Sequence, residues 1–430
     1  MYLLLFGLPL VLVFFFYLKR QRFIERRDRA RLMEAKETGM TEPPSLHPII
    51  SPSACIGCGS CIPACPEHAL GMVGGKAALV APTKCIGHGA CEVACPVKGI
   101  KLVFGTEKRG MDIPQVNPEF ETNVRGIFIA GELGGMGLIR KTTEQGRQAM
   151  DVIAKRKGGK AAHDVVIIGA GPAGISATLG AQEHKLRYVT VEQEDSLGGA
   201  VYHYPRNKLT MTAPVKLPIV GEIKMYDIRK EELLGMWNRV KKETGIAISF
   251  NERMEKVTPS DHGFIVQTSK GSYETTCVLL AIGRRGTPRK LGVPGEQQAK
   301  VVYRLIDAEQ YRDHHVLVVG GGDSALEAAI SIAEESGTTV TLSYRSESFG
   351  RVKQKNKENL EAAEAKGTLK VLLKSNVTEI GDDDVTLERE GNKVTLPNQA
   401  IIVCAGGILP TPFLKEVGIM VETHHGKVAV

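Results

Sequence analysis

Seven of the chain's nine cysteines fall between Cys55 and Cys95, spaced as a ligand set rather than as a disulfide framework. Residues 55–66 read CIGCGSCIPACP, a C-x2-C-x2-C-x3-C-P run, and residues 85–96 read CIGHGACEVACP. The units 55–70 and 85–100 share eight identical positions, which marks an internal duplication. Thiolates are soft anionic donors suited to iron, and close spacing among glycines lets one loop wrap several corners of an iron–sulfur cluster. His88 stands in the second run where the first has Cys58. A neutral imidazole in place of a thiolate raises the reduction potential of such a centre. A zinc ion held by three cysteines and a histidine is the competing chemistry there.

Two glycine-rich turns suit phosphate. Residues 164–174 read DVVIIGAGPAG, an apolar strand delivered into a glycine-rich turn that includes Pro172 and Ala173, and ISATLGAQEH follows with helical spacing. Gly169 permits the turn, Gly171 lets the backbone approach a pyrophosphate, and Gly174 allows close helix packing. Glu192 closes the next strand, where an acid accepts hydrogen bonds from a ribose. A second copy reads VLVVGGGDSALEAA, with Gly320, Gly322 and Ala325 in the small positions and Asp323 and Ser324 opening its helix. No acid ends the strand that follows. Arg345, Arg351 and Lys353 are placed to neutralise a 2′-phosphate, which favours NADPH over NADH.

The cysteine runs resemble the bacterial dicluster ferredoxins, in which the fourth cysteine of each run serves the other cluster. That resemblance implies Cys55, Cys58, Cys61 and Cys95 for a 4Fe–4S cluster. It implies Cys85, Cys91 and Cys65 for a second cluster, either 4Fe–4S with His88 as fourth ligand or 3Fe–4S without it. A vacant second site is the third possibility. GAGPAG, LLAIGRRGTP (279–288) and GGGDSALEAA resemble the FAD-dependent, thioredoxin-reductase-like flavoproteins over roughly residues 164–430. In that family the first loop binds FAD and the second NAD(P)H. Thioredoxin reductases carry a Cys-x-x-Cys shortly before the second loop, but residues 301–322 here contain no cysteine. The resemblance therefore runs to members without the dithiol, the ferredoxin–NADP reductases of thioredoxin-reductase type and the bacillithiol-disulfide reductases. It also suggests a homodimer.

Members of that family finish with a segment that closes the FAD site, resembling T-x-x-P-G-x-F-A-A-G-D followed by a helix with Gln-Gly. Here its counterpart stands early: residues 122–131 read TNVRGIFIAG, then Glu132 in place of the family aspartate, then a helix carrying Gln145 and Gly146. The resemblance thus implies a circular permutation, with Gly131, Glu132 and Gln145 at the FAD site.

These sites need elements to hold them, and 430 residues exceed one core. The expected fold is α/β: two Rossmann-like dinucleotide-binding domains, preceded by a small α+β dicluster ferredoxin domain and an N-terminal transmembrane helix. The expected segments are an anchor 1–18, a basic juxtamembrane linker 19–45, the ferredoxin domain 46–104, the permuted part of the FAD domain 105–153, and a linker 154–161. The FAD domain follows at 162–287, the NAD(P)H domain at 288–404, and a return to the FAD domain at 405–430. The anchor rests on the uncharged run from Met1 to Leu18, about 27 Å of helix. Eight bases against three acids between Lys19 and Lys36 then place the rest on the cytoplasmic side of an inner membrane. Outside that stretch the net charge of +7 nearly vanishes, which speaks against a nucleic-acid partner. Cys277 and Cys404 sit in apolar strands as small core residues.

The function expected is a membrane-anchored oxidoreductase passing electrons between NAD(P)H, FAD and iron–sulfur clusters, to or from a redox protein or small molecule. No side chain is needed as a nucleophile and no catalytic residue is named. The rivals are a disulfide or low-molecular-weight thiol reductase and an electron-transfer docking subunit of a larger membrane complex.

Overall fold

The computed structural model describes residues 2–44, 46–135, 137–210, 214–224, 226–284 and 286–426. Its largest sheet has six strands. The parallel strands His163–Ile168 and Tyr188–Val191 continue through the C-terminal half of Gly271–Leu280 to Ile127–Ile129. An antiparallel extension, Met254–Ser260 and Gly263–Thr268, grows from the other half of Gly271–Leu280. Residues 165–168 and 278–280 read as unbroken apolar runs because both faces of these strands are covered, and every one is at most 4% exposed. The early strand Ile127–Ile129 thus completes the sheet, and its helix Ile139–Ile153 packs along Pro172–Glu183.

A second sheet of five parallel strands has the order Val301–Val302, Ala400–Val403, His315–Val319, Thr339–Tyr344, Leu369–Leu373, with a three-stranded antiparallel sheet over residues 375–397. Lys208–Glu327 (2.8 Å) and Arg206–Asp307 (3.1 Å) bridge the two large units. After the second unit the chain returns: Val421–His424 pairs antiparallel with Met111–Pro114.

The cysteine-rich unit is built on two short antiparallel pairs, His47–Ile50 with Ile100–Val103 and Leu70–Val73 with Lys76–Leu79. Its core is shared between aliphatic residues and the cysteines themselves. A single helix, Tyr2–Glu37, lies against it. Asp28 of that helix is fully buried, accepts the Met72 N–H (2.9 Å) and is paired with Arg27 (2.9 Å). Glu25 accepts the Gly74 N–H (2.8 Å) and Arg31 donates to the His68 carbonyl (2.7 Å). The helix ends at Gly39, whose φ of +71° suits the left-handed turn of a helix C-terminus.

Two expectations about this region are corrected. Among the described residues no helix is long and apolar enough to cross a membrane, which overturns the transmembrane anchor over 1–18 and the inner-membrane location derived from it. Nor is 19–45 a juxtamembrane linker. The helix continues through Lys19 to Glu37, held by good helix formers and by Glu25–Arg29 and Asp28–Arg31 pairs, and docks on the cysteine unit.

Residues 39–44 then cross between units. Gly39 packs on Ser348, the Glu42 N–H donates to the Gly350 carbonyl (3.3 Å), and Arg109 donates to the Pro44 carbonyl (3.2 Å).

Candidate redox site

The structure gathers the cysteines into two cavities. One is lined by Cys55, Cys58, Cys61 and Cys95, the other by Cys65, Cys85 and Cys91 with His88. This is the crossed-over grouping: the fourth cysteine of each run sits in the cavity formed by the other. Each cavity holds about 310–320 Å³ of space, its solvent mouth included. Among the described residues no three Cys, His, Asp or Glu side chains converge on one ion-sized point. The thiols stand apart around a volume instead.

Burial pushes the Cys61 and Cys85 thiols up to about 11 and raises Cys91 as well. Such thiols shed their protons when a cation binds, so the donor set fits a metal cluster. Burial pushes His88 down, against Glu67, which raises it. Its imidazole is thus held neutral, the form that can offer a lone pair to iron. The second cavity abuts the large sheet's unit: Lys141, in the first turn of Ile139–Ile153, donates to the His88 carbonyl (2.5 Å).

In the first glycine loop Gly169 has φ +104°, and a Cβ there would press on the Ala281 carbonyl. A Cβ on Gly174 would overlap the Gly169 carbonyl oxygen, so helix and strand meet backbone to backbone. Gly171 caps the helix that Pro172 and Ala173 begin, leaving its first N–H groups directed at the loop. Glu192 is buried, which raises its pKa. It accepts the Ala170 N–H (2.6 Å) and the Glu194 N–H (3.0 Å), so it braces the loop.

From the early segment, Gly131 (φ +92°) packs on Ala173 and donates its N–H to Gln145 Oε1 (2.9 Å). Gln145 therefore holds Gly131 in place. Glu132 lies in a tight turn beside Gly137, near Arg284. Burial lowers the Arg284 pKa, and the side chain donates to the Asp112 carbonyl (2.7 Å). Arg284 escaped the sequence reading although it lies inside the LLAIGRRGTP run.

At the second loop Gly320 (φ +147°) faces the Cys404 carbonyl, while Gly321 carries the Tyr344 ring where a Cβ would stand. Gly322 opens the helix Asp323–Ala333, and nothing lies within 4 Å of the place its Cβ would take. Asp323 accepts from the Lys353 N–H and from Asn356 Nδ2, both at 2.8 Å, tying the basic loop to the helix start. Ser324 and buried Ala325 complete that turn. Arg345 and Arg351 are exposed beyond the strand Thr339–Tyr344, beside the loop. The stacked Tyr344–Phe349 pair that shapes this mouth was not singled out from sequence. Cys277 is 1% exposed and burial pushes it up to about 11, which suits a core residue.

Residues 166–430 match the family described as pyridine nucleotide-disulphide oxidoreductase, and residues 47–96 match a 4Fe-4S dicluster domain. The first match covers more than half of the chain, which therefore belongs to the pyridine nucleotide-disulphide oxidoreductases. The bacilliredoxin reductase Bdr of Bacillus subtilis (strain 168) is 28% identical over 270 residues, 61% of this chain and 82% of that protein. A ferredoxin–NADP reductase of Ignicoccus hospitalis is 27% identical over 260 residues, 60% and 81% of the two chains. The bacillithiol disulfide reductase Bdr (YpdA) of Staphylococcus aureus has a similar structure, with a TM-score of 0.53 at 26% identity, covering 60% of this chain and 80% of that one. This chain is thus a thioredoxin-reductase-like, FAD-dependent oxidoreductase that uses NAD(P)H and carries a 4Fe–4S cluster-binding domain.

Proposed function

We propose that the protein moves electrons between NAD(P)H and a separate one-electron carrier, through FAD and two iron–sulfur clusters. The observation that carries this reading is the Lys141–His88 link, which seats the second cysteine cavity on the first turn of the helix that also braces the first glycine loop. When bound, FAD exchanges a hydride for single electrons, and clusters carry electrons singly. The chain's own share is to hold and orient. Cys55, Cys58, Cys61 and Cys95 would ligate one 4Fe–4S cluster, and Cys65, Cys85 and Cys91 a second cluster of four irons with His88 or of three without it. Gly169, Gly171, Gly174 and Glu192 would cradle FAD with Gly131 and Glu132. Gly320, Gly322 and the bases Arg345 and Arg351 would take NADPH. We read the early strand and helix as a circular permutation that joins the cluster domain directly to the flavin site.

The test is an anaerobic titration of the reconstituted protein with NADPH and, separately, NADH, following flavin absorbance and cluster EPR together. Flavin bleaching followed by reduced-cluster signals is the expected course. Bleaching with clusters that stay oxidised, even when a low-potential donor is supplied to reduce the flavin, ends this reading. Turnover of low-molecular-weight disulfides without turnover of one-electron acceptors would favour the activity that the bacillithiol disulfide reductases' name describes.

A further inference from the structure

The basic run from Lys19 to Lys36 lies against the cysteine unit, and the two cavities differ in the side chains around them. At the second, Cys85 and Cys91 are buried, Gly87 packs against Leu46, and Lys141 sits on the His88 loop. The first has a cysteine exposed, Cys58, and Ile56 (65% exposed) and Val97 (39%) stand at its rim.

Residues 46–104 contain only two acids, and both stand at the second cavity, where Lys84 and Lys141 offset them: Glu67 lines it and Glu92 lies beside Cys91. The first cavity has a collar of bases. Lys76 donates to the Cys55 carbonyl (2.5 Å), Lys98 follows Val97, and Lys101 is exposed on the outer face of the strand that supplies Ile100. The N-terminal helix extends the collar. Its Glu25 is spent on the Gly74 N–H, and the hairpin tip at Gly75 presses on Gly57 of the first cysteine loop. Arg22 and Arg26, on the same stretch of helix, are exposed to solvent.

We propose that this rim, apolar at Ile56 and Val97 and ringed by bases, is where an acidic one-electron carrier protein docks. The inference rests on the function proposed above and names its partner. It also fixes an order: the cavity seated on Lys141 faces the flavin side, and the cavity with the exposed Cys58 faces the carrier. The reaction balances as NADPH plus two oxidised carriers giving NADP⁺, one proton and two carriers each reduced by one electron, or the reverse. A basic collar around an exposed electron exit accelerates encounter with an acidic partner and repels a basic one.

The experiment uses the full-length holoprotein with NADPH and two probes, a flavodoxin of strongly negative net charge and cytochrome c of positive net charge. The bimolecular rate constant for flavodoxin is expected to fall about tenfold or more between low and high salt. It should fall about tenfold in Lys98→Glu/Lys101→Glu, while the rate for cytochrome c rises. Arg22→Glu/Arg26→Glu, remote from every cysteine, is expected to act in the same direction. In both variants cluster EPR and the rate of flavin reduction by NADPH should match the parent, which separates docking from folding and cluster loading. If the clusters of the parent are reduced by NADPH but flavodoxin is insensitive to salt and to both double variants, the docking surface is refuted and the electron conduit stands. If the clusters are never reduced, the conduit itself fails.

Discussion

Gly146 offers a test of how the early helix meets the first glycine loop, because substitution there should change stability with a sign opposite to helix propensity. An alanine Cβ at Gly146 would overlap the Ala173 carbonyl oxygen and lie 2.9 Å from its carbon and 3.0 Å from its Cα. The obstructing atoms are backbone, so no rotamer change relieves them, and helix Ile139–Ile153 must retreat by about 1 Å. Such a gap forfeits a quarter to a half of each contact's dispersion energy along the Ala149, Met150 and Ile153 seam. Overpacking of this kind costs about 1–3 kcal/mol, while Gly→Ala inside a helix gains about 1 kcal/mol. The net expectation for Gly146→Ala is a loss of about 0–2 kcal/mol, or up to about 8 °C in the melting of the flavin domain. Gly235, in helix Lys230–Thr244, has nothing within 4 Å of the place a Cβ would take. Gly235→Ala is expected to raise the same midpoint by about 2–4 °C. The assay is a thermal ramp followed by the fluorescence of released FAD, in parallel with far-UV circular dichroism. A Gly146→Ala protein whose midpoint rises as far as that of Gly235→Ala would show that the early helix does not lie on Ala173.

Asp28→Ala leaves the Met72 N–H without its partner and is expected to cost about 1–3 kcal/mol; Asp28→Asn, which keeps an acceptor, should retain most of the protection of the Met72 amide in hydrogen exchange. Equal exchange in the two variants would mean that the N-terminal helix is not docked. At the acid side, Arg187 holds Asp164 down to about 2, helped by N–H donors from Arg187 and Gly158. An unfolded aspartate titrates near ~3.9. The stability this pair contributes is therefore complete above about pH 4 and is lost as pH falls through about 2. Urea midpoints measured down that range should fall more steeply for the parent than for Asp164→Asn, and parallel curves would contradict the assignment.

The cysteine sets and both glycine loops were legible because their chemistry is local: spacing within a dozen residues decides which atoms can share a centre. The crossed pairing of Cys65 and Cys95 was legible only through the resemblance to the dicluster ferredoxins. What escaped was of two kinds. The N-terminal helix docks through a sparse apolar face, Ile24, Leu32 and Ala35, set around the buried Asp28 carboxylate on a hairpin's backbone, and an uncharged run followed by bases mimics an anchor. Contacts such as Lys141 with the His88 carbonyl, Glu42 with Gly350, or Arg284 with Asp112 join residues through main-chain atoms. A main-chain acceptor leaves no mark on residue type, so such contacts have no sequence signature.

The antiparallel pairing of Met111–Pro114 with Val421–His424 also sets a schedule for synthesis. Thr423 bonds Asp112 across 311 positions of sequence. At about 5–20 residues per second a ribosome needs roughly 15–60 s to bring the second strand out after the first. Throughout that interval Met111–Pro114 is an unpaired edge, while the cysteine unit just ahead of it is already complete. Cluster loading can therefore begin on a nascent chain whose nucleotide-binding halves do not yet exist.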